Sequence, residues 1–222
     1  MLCKVCNKEI NSFNLDDIFG IKKKCLCIKC FNEFEVINER TIIDEFECYS
    51  IYSYKGKIKD LIYQFKGLKD YELKDVFLEY FVSYLNIKYY GYYVTFAPSF
   101  FNDDKERGFN HVEAIFSSLN NKKFKLFKKK INYKQSDHKF NERYKIKDVI
   151  ELEKTNLKGI KKILIVDDVL TSGNTLKTCA SLLYKEGIKN IKLLTVSKAS
   201  NNKWLLYVKI KKSSVYYFII LM

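Results

Sequence analysis

The sequence lacks several motifs and segments that assign a protein to a class at once. Its 222 residues contain no G-x-x-x-x-G-K-[ST] string, which argues against a P-loop nucleotide hydrolase, and no G-x-G-x-x-G string supports a dinucleotide-binding fold. No apolar run reaches the length of a membrane span, and the first residues show no apolar core of a secretory signal. We therefore expect a cytoplasmic protein without a transmembrane segment.

Arginine and proline are also scarce. Only three of the 40 basic residues are arginine, and the chain has one proline. The formal net charge of +14 would attract phosphates or nucleic acid, but the sequence is generally rich in Lys, Ile, Asn, Phe and Tyr. We therefore interpret most lysines as solvated surface and give more weight to the positions of Arg107 and Arg143.

The chain is nevertheless long and apolar enough to fold. Its 222 residues suffice for one α/β domain with a small additional module, and an apolar content of 47% can form a core. Seven cysteines in a cytoplasmic protein indicate metal ligands or free thiols rather than disulfides. Two of them, Cys48 and Cys179, stand apart from the others and are expected in the core.

Two Cys-x-x-Cys pairs near the beginning of the sequence predict a metal site. Cys3 and Cys6 form the first pair, and Cys27 and Cys30 form the second. This spacing is typical of a closed, structural Cys₄ zinc site, and metal binding would supply much of the folding energy of so short a segment. Cys25 is an alternative ligand in the second pair, and a set of unligated thiols is the other interpretation.

The most informative segment joins a buried strand to a polar loop. Four apolar residues at 163–166 have the composition of a strand covered on both faces, and Asp167 and Asp168 follow them. Because strand side chains alternate, we expect the two carboxylates to point in different directions at the end of the strand. They can bind ribose hydroxyls directly or through a hard cation such as Mg²⁺. The alternatives are an ordinary strand end and the magnesium site of a nucleotide hydrolase.

The loop after the carboxylates is suited to a phosphate. Its glycine permits a backbone geometry that other residues resist, and its hydroxyls can donate hydrogen bonds. A helix beginning nearby would direct free N–H groups at the ligand, at the sheet edge where open α/β folds bind ligands. The candidate phosphate-binding residues are Thr171, Ser172, Gly173, Asn174 and Thr175.

Hydrophobic periodicity predicts the surrounding elements, which we interpret as core rather than as sites. Strands are expected over residues 49–56, 92–98 and 191–196. Helices are expected over residues 58–67, 73–85, 112–119 and 174–187, and a loop over residues 97–111.

The segment from the apolar strand to Thr175 resembles the 5-phosphoribosyl-1-diphosphate (PRPP) binding signature of the type I phosphoribosyltransferases. That resemblance implies an α/β fold in which helices flank a parallel sheet. It also implies that Asp167 and Asp168 hold the ribose hydroxyls, with Mg²⁺ bound through the substrate, and that residues 171–175 surround the 5-phosphate.

Further motifs narrow the resemblance to one family. The two cysteine pairs, a Tyr-x-Tyr-x-Gly strand ending at Gly56, a Lys-Gly helix end and Arg-Gly-Phe-Asn at 107–110 precede the PRPP loop. This order is similar to that of the ComF family, which comprises competence-associated bacterial proteins, and the similarity covers about residues 1–199. In that family Gln usually follows Arg-Gly-Phe-Asn, but here the residue is His111, which we expect at the polar surface.

The resemblance also assigns a diphosphate loop. Lys105, Arg107 and Gly108 would face the diphosphate of PRPP, with Gly108 allowing close backbone approach and Arg107 supplying a bidentate fork. The alternative for Arg107 is a surface ion pair with a neighbouring acid such as Asp104.

Residues 134–143 resemble the mobile loop of the family, which closes over the reacting centre and excludes water. Arg143 is the candidate catalytic residue of this loop, beside Asp167 and Asp168. The Asn that usually follows that arginine is replaced here by Ile146, which lowers the expectation of full catalytic activity.

These expectations divide the chain into a zinc-binding module (1–45), a phosphoribosyltransferase-like domain (46–199) and an extension (200–222). The implied function is binding of PRPP with Mg²⁺ and pentosyl transfer to an unidentified acceptor, with a role in natural competence and DNA uptake beside other competence proteins. The alternative is a non-catalytic competence factor that binds single-stranded DNA and uses the fold as a PRPP sensor.

Overall fold

A computed structural model of the protein describes residues 1–10, 24–99, 101–129, 150–153 and 157–200. The predicted mobile loop with Arg143 and nearly all of the extension after residue 199 lie outside the described residues.

The described strands form a mostly parallel sheet and a small separate pair. In chain order they are β1 (Val36–Ile43), β2 (Phe46–Ser53), β3 (Tyr93–Phe96), β4 (Lys123–Phe124), β5 (Phe127–Lys129), β6 (Ile150–Leu152), β7 (Lys162–Leu170) and β8 (Asn190–Lys198). The main sheet has the order β1-β2-β8-β7-β3-β4, in which only the edge strand β1 pairs antiparallel. β5 and β6 pair with each other. The expected α/β class with a parallel sheet is confirmed.

Helices connect these strands and cover the sheet. They are α1 (Ile28–Phe31), α2 (Gly56–Gly67), α3 (Val82–Lys88), α4 (Phe101–Arg107), α5 (His111–Ile115) and α6 (Asn174–Lys185), with 3₁₀ turns at Tyr71–Asp75 and Phe116–Ser118. No helix of the described residues is both long and apolar enough to cross a bilayer.

The central strand β7 contributes to a core on each face of the sheet. Leu164 and Val166 pack in one hydrophobic cluster with residues of α2, α3 and α5. Ile163 and Ile165 pack in a second cluster with residues of α6. All four side chains are fully buried, which explains why this segment is apolar at every position rather than at alternate ones.

Most predicted elements are present, but some differ from the prediction in type or length, such as the helix expected over residues 112–119, which becomes a 3₁₀ turn after Ile115. The predicted helix over residues 73–85 is wrong: the chain forms the 3₁₀ turn, further turns and the short α3 instead. Backbone bonds of the tighter i→i−3 type, such as Val76 N–H to Leu73 O, replace the helix because consecutive side chains at 76–78 are all buried. The loop expected over residues 97–111 contains helix α4.

The cysteine-rich segment packs directly on the larger core. Leu26 is fully buried, and its carbonyl accepts a hydrogen bond of 3.1 Å from the Tyr80 hydroxyl. The rings of Phe31 and Tyr80 lie 4.2 Å apart. β1, which falls within residues 1–45, is one of the two edge strands of the main sheet. The cysteine-rich segment and the α/β domain therefore share one hydrophobic cluster.

Substitutions on helix α2 test this packing. Phe65→Ala should lower the free energy of unfolding by about 3–5 kcal/mol, because Phe65 is fully buried against Phe77 and Phe109 and its removal leaves a cavity. Tyr63→Ala, on the exposed face of the same helix, should change it by no more than about 0.5 kcal/mol. Urea unfolding measures both, and equal losses would contradict the assigned orientation of α2.

Candidate functional site

The two adjacent aspartates lie in the C-terminal half of β7 and point to different faces of the sheet. The strand continues beyond them to Leu170, which pairs with Lys198 of β8, so the pair does not end the strand as the sequence suggested. The backbone N–H of Asp168 donates a hydrogen bond of 2.9 Å to Asp167 Oδ1. Continued pairing with β8 fixes the backbone on which both carboxylates are held.

Asp168 is a buried carboxylate with two basic neighbours. Its side chain accepts a hydrogen bond of 2.8 Å from Lys66 Nζ at the end of α2, and His111 Nε2 of α5 lies 3.8 Å from the other carboxylate oxygen. Burial alone would raise the pKa of Asp168, but His111 and the charge of Lys66 outweigh it and hold that pKa well below its usual range. Asp168 is therefore ionised at neutral pH.

Asp167 has the opposite electrostatic environment. Burial raises its pKa well above the usual range, and the neighbouring negative charge of Asp168 raises it further. Without a ligand, the pair therefore favours one negative charge over two. A divalent cation or a row of hydroxyl donors at this place would stabilise the second charge, so the donor set fits a hard, oxygen-preferring cation such as Mg²⁺.

The loop after β7 has the geometry expected of a phosphate site. Gly173 adopts φ +74°, and a Cβ at this position would lie 3.1 Å from Ile43 Cδ1. The twelve-residue helix α6 begins at the next residue, and its first amide groups have no partner within the helix. Thr171, Ser172 and Asn174 are exposed and Thr175 is partly exposed. The five predicted residues therefore come together at one helix N-terminus, which favours an anion.

Arg107 is bound inward, at the end of α4. Its Nη1 donates to Asp104 Oδ1 at 2.8 Å and lies 3.1 Å from His111 Nδ1, while its Nε donates to the Lys66 carbonyl at 3.3 Å. Only 10% of the side chain is exposed. The ion pair with Asp104 considered from the sequence is present, but it is partly buried rather than fully at the surface.

Asn110 of the Arg-Gly-Phe-Asn loop also stabilises the segment between α4 and α5. Its side-chain oxygen accepts the Glu113 N–H at 2.9 Å and caps α5, and its Nδ2 donates to Asp104 Oδ2 at 2.8 Å. Ser99 also donates to that Asp104 oxygen. Asp104 thus accepts hydrogen bonds from three side chains and organises the loop.

Two residues of this site were not found from the sequence. His111 was expected at the surface, but it is 6% exposed because α5 packs its N-terminal turn against Asp168. Lys66 was read only as part of a Lys-Gly helix end. Its position one residue before the last residue of α2 was the available signal, although the sequence does not show which strand that end meets.

A cleft of about 510 Å³ opens beside this network. Its lining includes Lys105 and Gly108 of the predicted diphosphate loop, Ala97 at the end of β3, and two lysines of β5, Lys128 and Lys129. Gly108 adopts φ +86° with open space around it, so the backbone there is accessible to a ligand.

The four predicted metal-ligating cysteines form one cluster. The sulfur atoms of Cys3, Cys6, Cys27 and Cys30 all lie within 4.8 Å of one another. Cys25 is outside this cluster, and its thiol donates to Glu79 Oε2 at 3.1 Å instead. The repeated Cys-x-x-Cys assignment is therefore favoured over the alternative that includes Cys25.

The close packing of the four thiols shifts the pKa values of Cys3 and Cys30 in opposite directions. Burial opposes ionisation of Cys3, but backbone hydrogen bonds from Cys27, Val5 and Cys6 lower its pKa to about 7. Burial and the neighbouring thiols raise the pKa of Cys30. A negative charge on Cys3 thus opposes ionisation of Cys30. Four thiolates together require a bound cation to offset their repulsion.

Comparison with known proteins agrees with this arrangement. The family described as Phosphoribosyl transferase domain matches residues 106–215, which include Arg-Gly-Phe-Asn at 107–110, the aspartate pair and the loop at 171–175. Competence protein ComFC of Streptococcus pneumoniae is 24% identical over 88% of this chain and 98% of its own length. The chain is a ComFC homologue with a phosphoribosyltransferase domain.

Two other relatives show how the similarity is distributed. Competence protein ComFC of Bacillus subtilis is 26% identical over 62% of this chain and 58% of its own length. Adenine phosphoribosyltransferase of Mycoplasmopsis pulmonis is 38% identical, but only over 25% of this chain and 32% of its own length. The ComFC homologue is therefore similar to the competence proteins over most of its length and to the transferase over a short segment.

The cysteine cluster can be tested with a matched pair of variants. Cys6→Ser should reduce bound metal from about one ion per chain to none and lower the melting temperature, because a closed tetrahedral site needs all four thiolates. Cys25→Ser should retain the metal, since its thiol contacts Glu79. Elemental analysis of purified protein measures both, and metal loss in the Cys25 variant alone would refute the ligand set.

Two glycines with positive φ provide a test of how the loop at 171–175 packs. Gly187→Ala should cost about 1–2 kcal/mol of folding free energy, because its φ of +90° strains any side chain but a Cβ has open space. Gly173→Ala should cost more, because the added Cβ also displaces Ile43. Chemical denaturation compares them, and a smaller loss at Gly173 would contradict the contact between β1 and this loop.

Proposed function

We propose that this ComFC homologue binds PRPP together with Mg²⁺ at the aspartate pair and the loop after it. The observation that supports this best is the juxtaposition of one ionised and one charge-suppressed carboxylate, Asp168 and Asp167, with the N-terminus of α6. Such a place suits a ligand that carries both vicinal hydroxyls and a phosphate.

Each part of the ligand has a proposed set of residues. Asp167 and Asp168 hold the ribose hydroxyls, and residues 171–175 surround the 5-phosphate with hydroxyl groups and helix amides. The diphosphate extends into the cleft, where Lys105 and the Gly108 backbone are exposed to it. Bound through the substrate, Mg²⁺ would neutralise part of the diphosphate charge.

Arg107 takes an indirect part in this arrangement. Because its guanidinium is already bound to Asp104, His111 and the Lys66 carbonyl, we assign it to shaping the diphosphate loop rather than to a bidentate contact with the ligand. Arg143 remains the proposed catalytic residue of the loop that would close over the centre, on the resemblance alone.

The proposed reaction is transfer of the phosphoribosyl group. The bond between ribose C1 and the diphosphate breaks, a bond from C1 to an acceptor nucleophile forms, and the acceptor loses a proton. Fixed charges that meet the leaving diphosphate favour this reaction. We further propose that the cysteine cluster holds a structural zinc ion and that the protein acts in natural competence, as the names of its relatives suggest.

Calorimetry of PRPP binding in the presence of Mg²⁺ tests the proposal. Asp167→Asn combined with Asp168→Asn should abolish magnesium-dependent binding, because the amides cannot supply negative charge to the cation or accept as strongly from the ribose hydroxyls. Asp60→Asn, on an exposed position of α2, is the matched control and should bind as the wild type does. Unchanged binding by the double variant would refute the site assignment.

A second candidate function is single-stranded DNA binding without turnover. The net charge of +14 and the competence proteins among the relatives favour it. DNA binding should weaken steeply as salt increases, whereas magnesium-dependent PRPP binding should weaken less. Release of diphosphate from PRPP and Mg²⁺ with candidate acceptors separates the two: release supports the transferase, and its absence with intact PRPP binding favours the sensor.

A further inference from the structure

We propose that His111 is a positioning residue that joins the Arg-Gly-Phe-Asn loop to Asp168, so that the diphosphate side and the ribose side of the site are held in one arrangement. The inference rests on the proposed PRPP site. It concerns a residue that does not touch the ligand and acts through the two side chains on either side of it.

The tautomer of His111 follows from its neighbour. Arg107 Nη1 lies 3.1 Å from His111 Nδ1, and a guanidinium can only donate hydrogen bonds. Nδ1 must therefore accept, which places the ring proton on Nε2. That nitrogen faces Asp168 Oδ1 at 3.8 Å, so the N–H dipole points its positive end at the carboxylate. At this distance the contact is electrostatic rather than a full hydrogen bond.

Burial protects the contacts of His111 and Asp168 from competition by water. His111 is 6% exposed and Asp168 is 5% exposed, so water has little access to replace either contact. Because Nδ1 accepts from Arg107, the ring carries its proton on Nε2 alone and is neutral. A neutral ring is required, because only a neutral imidazole can accept from Arg107 and donate towards Asp168 at the same time.

Arg107, the partner of His111 on the side of the Arg-Gly-Phe-Asn loop, is also held in place by several contacts. Arg107 is held by Asp104 at 2.8 Å and by the Lys66 carbonyl at 3.3 Å, and Asp104 in turn accepts from Asn110. Since Lys66 Nζ also binds Asp168, the contacts form a closed ring through Arg107, His111, Asp168 and Lys66. The ring crosses three helices and the central strand.

This closed set of contacts couples Arg107 to Asp168 in a way that simple packing would not. Displacing Arg107 shifts His111, and this changes the group that faces the Asp168 oxygen used for the ribose or the cation. Groups behind a metal or ligand-binding carboxylate commonly control its affinity in this way. If His111 merely filled space, any polar side chain of similar size that folds would serve equally well.

Two amide variants separate these possibilities. The terminal amide of Gln can reach the position of Nε2, whereas the amide of Asn reaches only the position of Nδ1. His111→Gln therefore keeps a donor towards Asp168, and His111→Asn keeps only the link to Arg107. Both are neutral and polar, and thermal unfolding verifies that both fold.

Calorimetry with PRPP and Mg²⁺ measures the dissociation constant of the wild type and of both variants. We expect His111→Asn to raise the dissociation constant about tenfold or more, as removal of groups behind a ligating side chain commonly does. His111→Gln should raise it less, because the donor towards Asp168 is kept although the link to Arg107 is lost. Equal affinities for all three proteins would overturn the positioning role. Equal weakening of both folded variants would also overturn it, because the reach of the side chain would then not matter.

The controls distinguish this inference from the function on which it rests. If the wild type does not bind PRPP at any concentration of Mg²⁺, both the proposed function and the positioning role of His111 are refuted. If the wild type binds and only the His111 comparison fails, the PRPP site stands and the positioning role alone is refuted. Should the Asn variant not fold, a Gln variant that binds tenfold more weakly than the wild type would by itself refute the proposal.

Discussion

The buried negative charge of Asp168 is the constraint on which the rest of the site depends. A carboxylate at 5% exposure is costly unless its partners are fixed, and here they come from two helices: Lys66 at the end of α2 and His111 at the start of α5. A shift of either helix end would remove one of the two partners of this charge. The site is therefore assembled by the same interactions that fix how these helices meet β7.

This constraint also explains the different properties of the two neighbouring aspartates. Strand alternation separates their side chains, but their charges remain close, so stabilising the charge on Asp168 suppresses it on Asp167. A ligand that brings positive charge or hydroxyl donors restores the second charge. The loop at 171–175 leads into the N-terminus of α6. Gly173 provides the backbone conformation that joins strand to helix, and it places no side chain against Ile43.

Local patterns predicted the parts of the molecule whose structure is determined locally. The apolar run at 163–166, the loop at 171–175 and the paired Cys-x-x-Cys spacing led to the central strand, the helix N-terminus and the cysteine cluster. His111 and Lys66 were missed because their roles come from contacts across 57 and 102 positions of sequence, which no periodicity records. The predicted helix at 73–85 failed because the core demands buried side chains on consecutive residues, and this favours turns over a one-sided helix.

The central claim is that Asp167, Asp168 and the N-terminus of α6 form one PRPP site. A crystal structure of the protein with PRPP and Mg²⁺ tests it most directly. We predict the 5-phosphate at the amides following Gly173, the ribose hydroxyls at the two carboxylates, and the diphosphate in the cleft beside Lys105 and Gly108. PRPP bound elsewhere, or a 5-phosphate at any place other than this helix N-terminus, would contradict it.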